Sequence, residues 1–433
     1  MENSFQDFDS ISKEAWAKQL EKDLRGTTFE DLISKDQSDL NIHPFYTQED
    51  LPENINPLFD HSDWSISTYV TVEKNQEEKA NHLALEELGN GAQSIVWTIE
   101  NPENVKWDTL FQNIQLEIIE SFVILPANNP FPKALNEYLS YHYEEHEASK
   151  LIKCFQDVVF HQLMGETEEI PSNDFEHIHI QGQEYAHLGL NSVDQVAYLL
   201  LHLQETLHLA NHQGKLKDIK SIHIGTAHNT QYFEEISKLR ALYQVIPTIL
   251  KEYNLEVPFY FHAETSLNYL VAEDNSNNIL RNAIAGMSAV LGGCHYLYIH
   301  PHKSAEDHPE VEARRVARNQ QHLFKEESYL SKIADAAQGS YTIEARTRDI
   351  LDHAWKLFLD IEEKGGLLKH AATFHALVLS TQENLLKQYQ SGKITLIGYN
   401  KYLTEDKEAT IPAFTAKSFK NGLRYFQLPF ITK

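Results

Sequence analysis

The residues in this sequence whose types and spacing could do chemistry are, first, its 23 histidines. His177-Ile178-His179 sets two imidazoles on one face of a strand, because strand side chains alternate with period two. Barrel metallohydrolases use such a pair together with His and Asp ligands from other strand ends. His223, His262, His295 and His300 also fall on predicted strands, which keeps a binuclear metal hydrolase open as one reading. No ordered set of carboxylate and lysine ligands accompanies the pair, however. The primary expectation is therefore a set of packed or hydrogen-bonded histidines in a polar interior, and no metal ligand is assigned. Cys154 and Cys294 stand far apart with no CxxC spacing, so no thiolate metal site is expected. Glu234-Glu235 with Lys238 predicts a solvated helix face, and Arg314-Arg315 with Arg318, behind Glu310 and Glu312, predicts a surface ion-pair face. P-loop, GxGxxG and GxSxG patterns do not occur.

These residues need elements to hold them. With 433 residues, 42% of them hydrophobic, the chain can build one barrel of about 250–350 residues with extensions, or two ordinary domains. Short apolar runs at Ser94–Ile99, Ser121–Leu125, His177–Gly182, Ser221–Thr226, Phe259–Glu264 and Cys294–His300 alternate with amphipathic stretches. Weaker runs near Ile152–Asp157 and Leu207–Asn211 bring the strand count to eight. Strand–helix alternation implies parallel strands with crossover helices, and eight such units imply a TIM barrel. One of the helices carries Ile236, Leu239, Tyr243, Ile246 and Leu250 on one face, with a kink expected at Pro247. Another carries Ile279, Ile284, Met287 and Leu291 and ends at Gly292-Gly293 as a C-cap. Residues 1–55 read as an arm for subunit contact: a short helix stopped by Gly26, then a stretch kept extended by Pro44 and Pro52. Residues 56–345 make the barrel. Residues 346–433 form a helical extension, with helices over Ile350–Lys364 and His370–Gln390 and an irregular tail.

The charge balance, 37 Lys and Arg against 63 Asp and Glu for a net −26, repels nucleic-acid phosphate and anionic membrane alike. No secretory signal is visible at the N-terminus, and no apolar run reaches the length of about 20 residues that a membrane helix needs. With two thiols, a reducing cytoplasm is the expected compartment.

The order of several motifs over most of the chain resembles the methylmalonyl-CoA mutase family. The resemblance begins with Trp16, Asp23-Leu24-Arg25-Gly26 and Pro44-Phe45-Tyr46-Thr47, and continues with Trp64-Ser65-Ile66-Ser67-Thr68-Tyr69. It resumes at Lys238-Leu239-Arg240-Ala241, Thr265-Ser266, Asn277-Asn278 and Arg281. Arg315-Val316-Ala317-Arg318-Asn319, Gly339-Ser340-Tyr341 and Ile397-Gly398-Tyr399-Asn400-Lys401-Tyr402 complete it. The resemblance implies a TIM barrel and the adenosylcobalamin-dependent interconversion of methylmalonyl-CoA and succinyl-CoA.

Departures fall on the family's catalytic positions. Glu184 stands where the family keeps a histidine that donates to the thioester carbonyl, and an ionised carboxylate cannot donate. His187, three residues on, is expected to point elsewhere. Tyr260 and Glu264 replace an Arg and a Gln, His262 remains as a weak cofactor-binding candidate, and Tyr69 matches a substrate-packing tyrosine. The D-x-H-x-x-G motif, whose His holds cobalt from below, is missing; its nearest echo is His177-Ile178-His179-Ile180-Gln181-Gly182. The resemblance thus implies a small subunit with no catalytic residue of its own, paired with a large catalytic subunit that carries the cobalamin. A subunit of another acyl-CoA mutase, such as one for isobutyryl-CoA, is the nearest alternative. Two carboxylates facing an acyl-CoA would also disfavour it, so the channel is expected to be closed or filled by side chains.

Overall fold

The computed structural model describes residues 11–51, 55–99, 101–126, 133–144, 151–167, 176–271, 274–303, 311–403 and 417–426. Eight parallel strands form its centre: β1 (Ser65–Val72), β2 (Ser94–Ile99), β3 (Glu120–Ile124), β4 (Ile152–Phe155), β5 (His177–Ile180), β6 (Ser221–His228), β7 (Phe259–Thr265) and β8 (Tyr296–Tyr298). Ladders join β4 through β3 and β2 to β1, then β1 to β8 and on through β7 and β6 to β5. Between β4 and β5 the barrel meets through rings, Phe155 lying flat on His179 with centroids 4.5 Å apart. The result is a nearly closed (β/α) barrel.

The helices, in chain order, are α1 (Lys13–Asp23), α2 (Glu77–Gly89), α3 (Trp107–Leu110), α4 (Lys133–His142), α5 (Val158–Leu163), α6 (Gln183–His187), α7 (Ser192–His212), α8 (Tyr232–Glu252), α9 (Asn275–Leu291), α10 (Val311–Glu326), α11 (Tyr341–Glu363) and α12 (Ala371–Gln390). No described helix is long and apolar enough to cross a membrane. The main core lies between the strands and α7, α8, α11 and α12, where Leu200, Leu242, Ile350 and Phe374 are fully buried.

Two expectations about elements need correcting. Leu207–Asn211 is not a strand; it is the last part of α7. The apparent alternation there is the tail of a helical stripe, in which Leu199, Leu200, Leu203, Leu207 and Ala210 are buried at spacings of three and four. The missing strand is β1, rich in β-branched and aromatic residues over Thr68–Val72, as strands are. In the extension, α11 begins at Tyr341 rather than Ile350. Pro247 sits inside α8, which runs on to Glu252.

The end of α9 follows the expected logic. Gly293 takes φ +92°, its N–H donates to the Val290 carbonyl at 3.0 Å, and the Cys294 N–H donates to the Ala289 carbonyl at 3.1 Å. This paired closure satisfies carbonyls that the helix leaves open, and it uses a backbone conformation that glycine alone adopts cheaply.

The solvated face expected for Glu234, Glu235 and Lys238 is buried instead. Lys238 Nζ pairs with Glu235 at 2.5 Å and donates to the Ala227 carbonyl and the Gln195 amide oxygen, each at 2.8 Å. Glu234 pairs with Arg346 of α11, which also holds Asp36 and donates to the Asn41 carbonyl. Charges at i, i+3 and i+4 mark one helix face, but they do not say what covers it. Here α11 and the arm residues 36–41 do.

Candidate active site

Side chains fill the barrel axis in layers. Tyr260, His262 and Glu264 alternate along β7, so they rise through the interior from bottom to top. At the lower level Tyr260 stacks on His223 at 5.0 Å and meets His295 edge-on at 5.1 Å. At mid-height Phe122 of β3 contacts Phe155, Tyr296 and His262 at 4.8–5.4 Å, and His262 stacks on Tyr296 at 4.2 Å. These rings meet across the barrel, so its centre is a packed core at this height.

The histidines of the strands belong to that core. Ser221 Oγ is hydrogen-bonded to His177 Nδ1 at 2.7 Å and to His223 Nε2 at 3.0 Å, and His223 Nδ1 is hydrogen-bonded to His262 Nε2 at 2.8 Å. Burial pushes His179 down to about 4 and holds His223 and His262 well below the usual imidazole range, so all three are neutral at pH 7. The packed and hydrogen-bonded reading of these histidines fits this arrangement. His177 and His179 join no cluster of ligand-type groups among the described residues.

A cavity of about 390 Å³ opens at the C-terminal ends of the strands, the face on which TIM barrels keep their active sites. Tyr69 of β1, Glu184 and His187 of α6, Glu264 at the end of β7 and His300 just past β8 line it. Of the positions singled out from sequence, Tyr69, Glu184 and Glu264 thus come together. Tyr260 and His262 do not, since both lie deeper in the core.

Asp157 builds the floor that carries Glu184. Its carboxylate caps α5 through the Phe160 N–H at 3.0 Å, accepts from the Gln181 N–H at 2.7 Å, and pairs with His202 of α7 at 2.8 Å. The short helix α6 follows and presents Glu184 and His187, an i, i+3 pair on one face. His187 was expected to point away; instead it is 2% exposed in the same cavity, with Nε2 3.4 Å from Glu264 Oε1. The i, i+3 spacing was the signal that could have found it.

Two further residues reach the cavity from the far end of the chain. Lys417 Nζ lies 3.1 Å from Glu184 Oε1, and the Tyr425 hydroxyl donates to Glu184 Oε2. Tyr425 also packs on His187, with centroids 4.9 Å apart, and the Phe426 N–H donates to the His187 carbonyl at 2.7 Å. Local spacing could not have signalled these contacts. Burial and the Glu184 carboxylate raise the Tyr425 phenol well above its usual value, so it remains a donor. Burial pushes Glu264 up, but the hydrogen bond and charge of His300, and then His187 and Lys417, leave it below the ordinary carboxylate range.

A larger cavity, about 510 Å³, lies between α2 and α10 beside β1. Arg314 and Arg318 of the basic stripe line it, while Glu310 lies outside the described residues. Arg318 is buried rather than on the surface and pairs with Glu87 at 2.5 Å, and Arg314 pairs with Glu86 at 3.1 Å and with Glu87 at 3.3 Å.

Fold and site together define an α/β-barrel protein with a mouth of paired carboxylates and histidines. Residues 149–422 match the family model for methylmalonyl-CoA mutase, and the chain belongs to that family. It is 27% identical to the methylmalonyl-CoA mutase small subunit of Porphyromonas gingivalis, over 90% of this chain and 69% of that protein. To the mitochondrial methylmalonyl-CoA mutase of Homo sapiens it is 26% identical, over 91% of this chain and 61% of that protein. A methylmalonyl-CoA mutase of Cereibacter sphaeroides is 24% identical over 90% of this chain and 64% of its own length. The chain therefore spans under two thirds of the latter two relatives.

Proposed function

We propose that this chain is the small, non-catalytic subunit of a heterodimeric methylmalonyl-CoA mutase, supporting a larger subunit that binds adenosylcobalamin and carries out the rearrangement. The observation that carries this reading is the state of Glu184. It occupies the place of the family's carbonyl-donating histidine, and its two oxygens are already taken by Lys417 and Tyr425. A carboxylate in that place offers an acyl-CoA carbonyl no proton. Below the mouth, Phe122, Phe155, His262 and Tyr296 pack against one another across the barrel interior, which supports this reading.

The residues here do not fit a cobalamin. D-x-H-x-x-G does not occur in the sequence. Its nearest echo lies on β5, where His179 is buried flat against Phe155. The arm, residues 1–55, would serve subunit contact beside the barrel of residues 56–345 and its helical extension, residues 346–433, in a cytoplasmic complex.

The test is reconstitution. The purified chain alone should bind no adenosylcobalamin in equilibrium titration and turn over no methylmalonyl-CoA. Added to a longer family member that carries D-x-H-x-x-G, it should co-elute as a one-to-one complex with mutase activity. Stoichiometric corrinoid binding or turnover by the isolated chain would overturn the proposal.

A further inference from the structure

We propose that His187, Glu264 and His300 form a binding site for a divalent transition metal of the zinc type at the C-terminal mouth of the barrel. The three come from the ends of three strand units: α6 after β5, the end of β7, and the segment after β8. One ligand atom from each lies within 4.8 Å of the others, and this is the only such group of three among the described residues. Glu264 Oε1 is 3.4 Å from His187 Nε2 and 3.4 Å from His300 Nε2. Two donors each about 2.0–2.1 Å from a tetrahedral zinc are about 3.4 Å apart. The carboxylate edges of the triangle already have the length that coordination requires.

A second observation points to a ligand. His187 is 2% exposed, and neither of its ring nitrogens has a hydrogen-bond partner among the described residues. Its contact with Glu264 lacks hydrogen-bond geometry, so a buried imidazole is left aimed at a carboxylate without bonding to it. Buried polar groups are rarely left so, because they give up their hydration without gaining a partner. A cation between the two rings and the carboxylate would satisfy Nε2 and the Glu264 charge together.

Two imidazoles and one carboxylate are the donor set of catalytic zinc and of non-haem iron sites, and calcium or magnesium would prefer an all-oxygen cage. Tyr69 lines the same cavity as the three residues. The fourth position faces the cavity of about 390 Å³, so the metal would keep an open site able to take the oxygen of a carboxylate or carbonyl ligand. The site is separate from the His177/His179 pair, which lies deeper in the barrel, and it goes beyond the subunit role proposed above.

The experiment titrates the chelator-treated full chain with zinc(II) against a chromogenic competitor, and with cobalt(II) by visible absorption. One equivalent of zinc should bind, and cobalt should give the intense d–d bands of a tetrahedral site. His187→Ala, Glu264→Gln and His300→Ala should each weaken zinc by more than about tenfold, while His177→Ala should leave it unchanged. Circular dichroism checks that each variant is folded. Should a variant fail to fold, the cobalt spectrum of the unmutated chain still decides. No stoichiometric binding by that chain, an octahedral cobalt spectrum, or loss on His177→Ala with retention in the three ligand variants would overturn the proposal.

Discussion

Arg240→Ala is expected to lower the free energy of unfolding by about 3–5 kcal/mol, the loss typical when one member of a buried ion-pair network is removed. Arg240 is fully buried on α8. Its Nη1 pairs with Asp335 and its Nη2 with Glu344 at 2.7 Å. Both carboxylates are themselves engaged: Asp335 accepts from the Leu58 N–H at 3.0 Å, and Glu344 accepts from the Gly339 N–H at 3.0 Å. Taking away the guanidinium leaves two carboxylates in a nearly water-free place, so the cost is their desolvation more than the lost attraction. Arg240→Lys should recover only part of the loss, since a single ammonium cannot reproduce the planar fork that meets two partners at once. Chemical denaturation followed by circular dichroism measures both. A loss below about 1 kcal/mol for the alanine variant, the scale of an exposed pair, would mean that this network does not hold α8 against the segment 335–344.

The second large effect is expected at Asp157. Asp157→Ala removes the cap of α5, the acceptor for the Gln181 N–H and the partner of His202 in one step, and should cost about 3–5 kcal/mol. Burial alone would push this carboxyl up, but His202 and the two backbone donors outweigh it and leave it below the usual carboxylate range. A group whose folded value is lowered contributes stability that is fully present above its unfolded value, near about 4. That stability is lost as pH falls through the folded value. The unmutated protein should therefore lose stability below about pH 4 partly through this residue, and the alanine variant should show a shallower acid limb. Thermal midpoints measured from pH 7 down to pH 3 test this. Parallel curves for the two proteins would show that Asp157 is not the titrating contributor.

The barrel was legible in the sequence because its strand–helix alternation is local. Six strand runs, from Ser94–Ile99 to Cys294–His300, and the weaker one near Ile152 fall on strands of the structure. Leu207–Asn211 misled because a helix end viewed through five residues can alternate like a strand. β1 escapes that alternation, although the motif position Tyr69 lies within it. Burial of charge was the harder matter. Glu234, Glu235, Lys238 and Arg318 look solvated by spacing, and only the packing of α11 and α2 over them shows otherwise. At the mouth, Glu184 and Glu264 could be read as inward-facing from motif position. Lys417 and Tyr425 could not, because their pairing with Glu184 is set by tertiary packing rather than by any period.

That distance has a consequence for how the molecule is made. Tyr425 closes over Glu184 across 241 residues of sequence, and Lys417 across 233. A chain emerging from the ribosome at about 5–20 residues per second exposes Glu184 for on the order of ten seconds or more before its partners exist. During that interval the nascent chain carries an uncovered Glu184, with Lys417 and Tyr425 not yet available to cover it. A partner able to bind there would meet it most openly during synthesis, so the order of translation itself can decide which surface docks first.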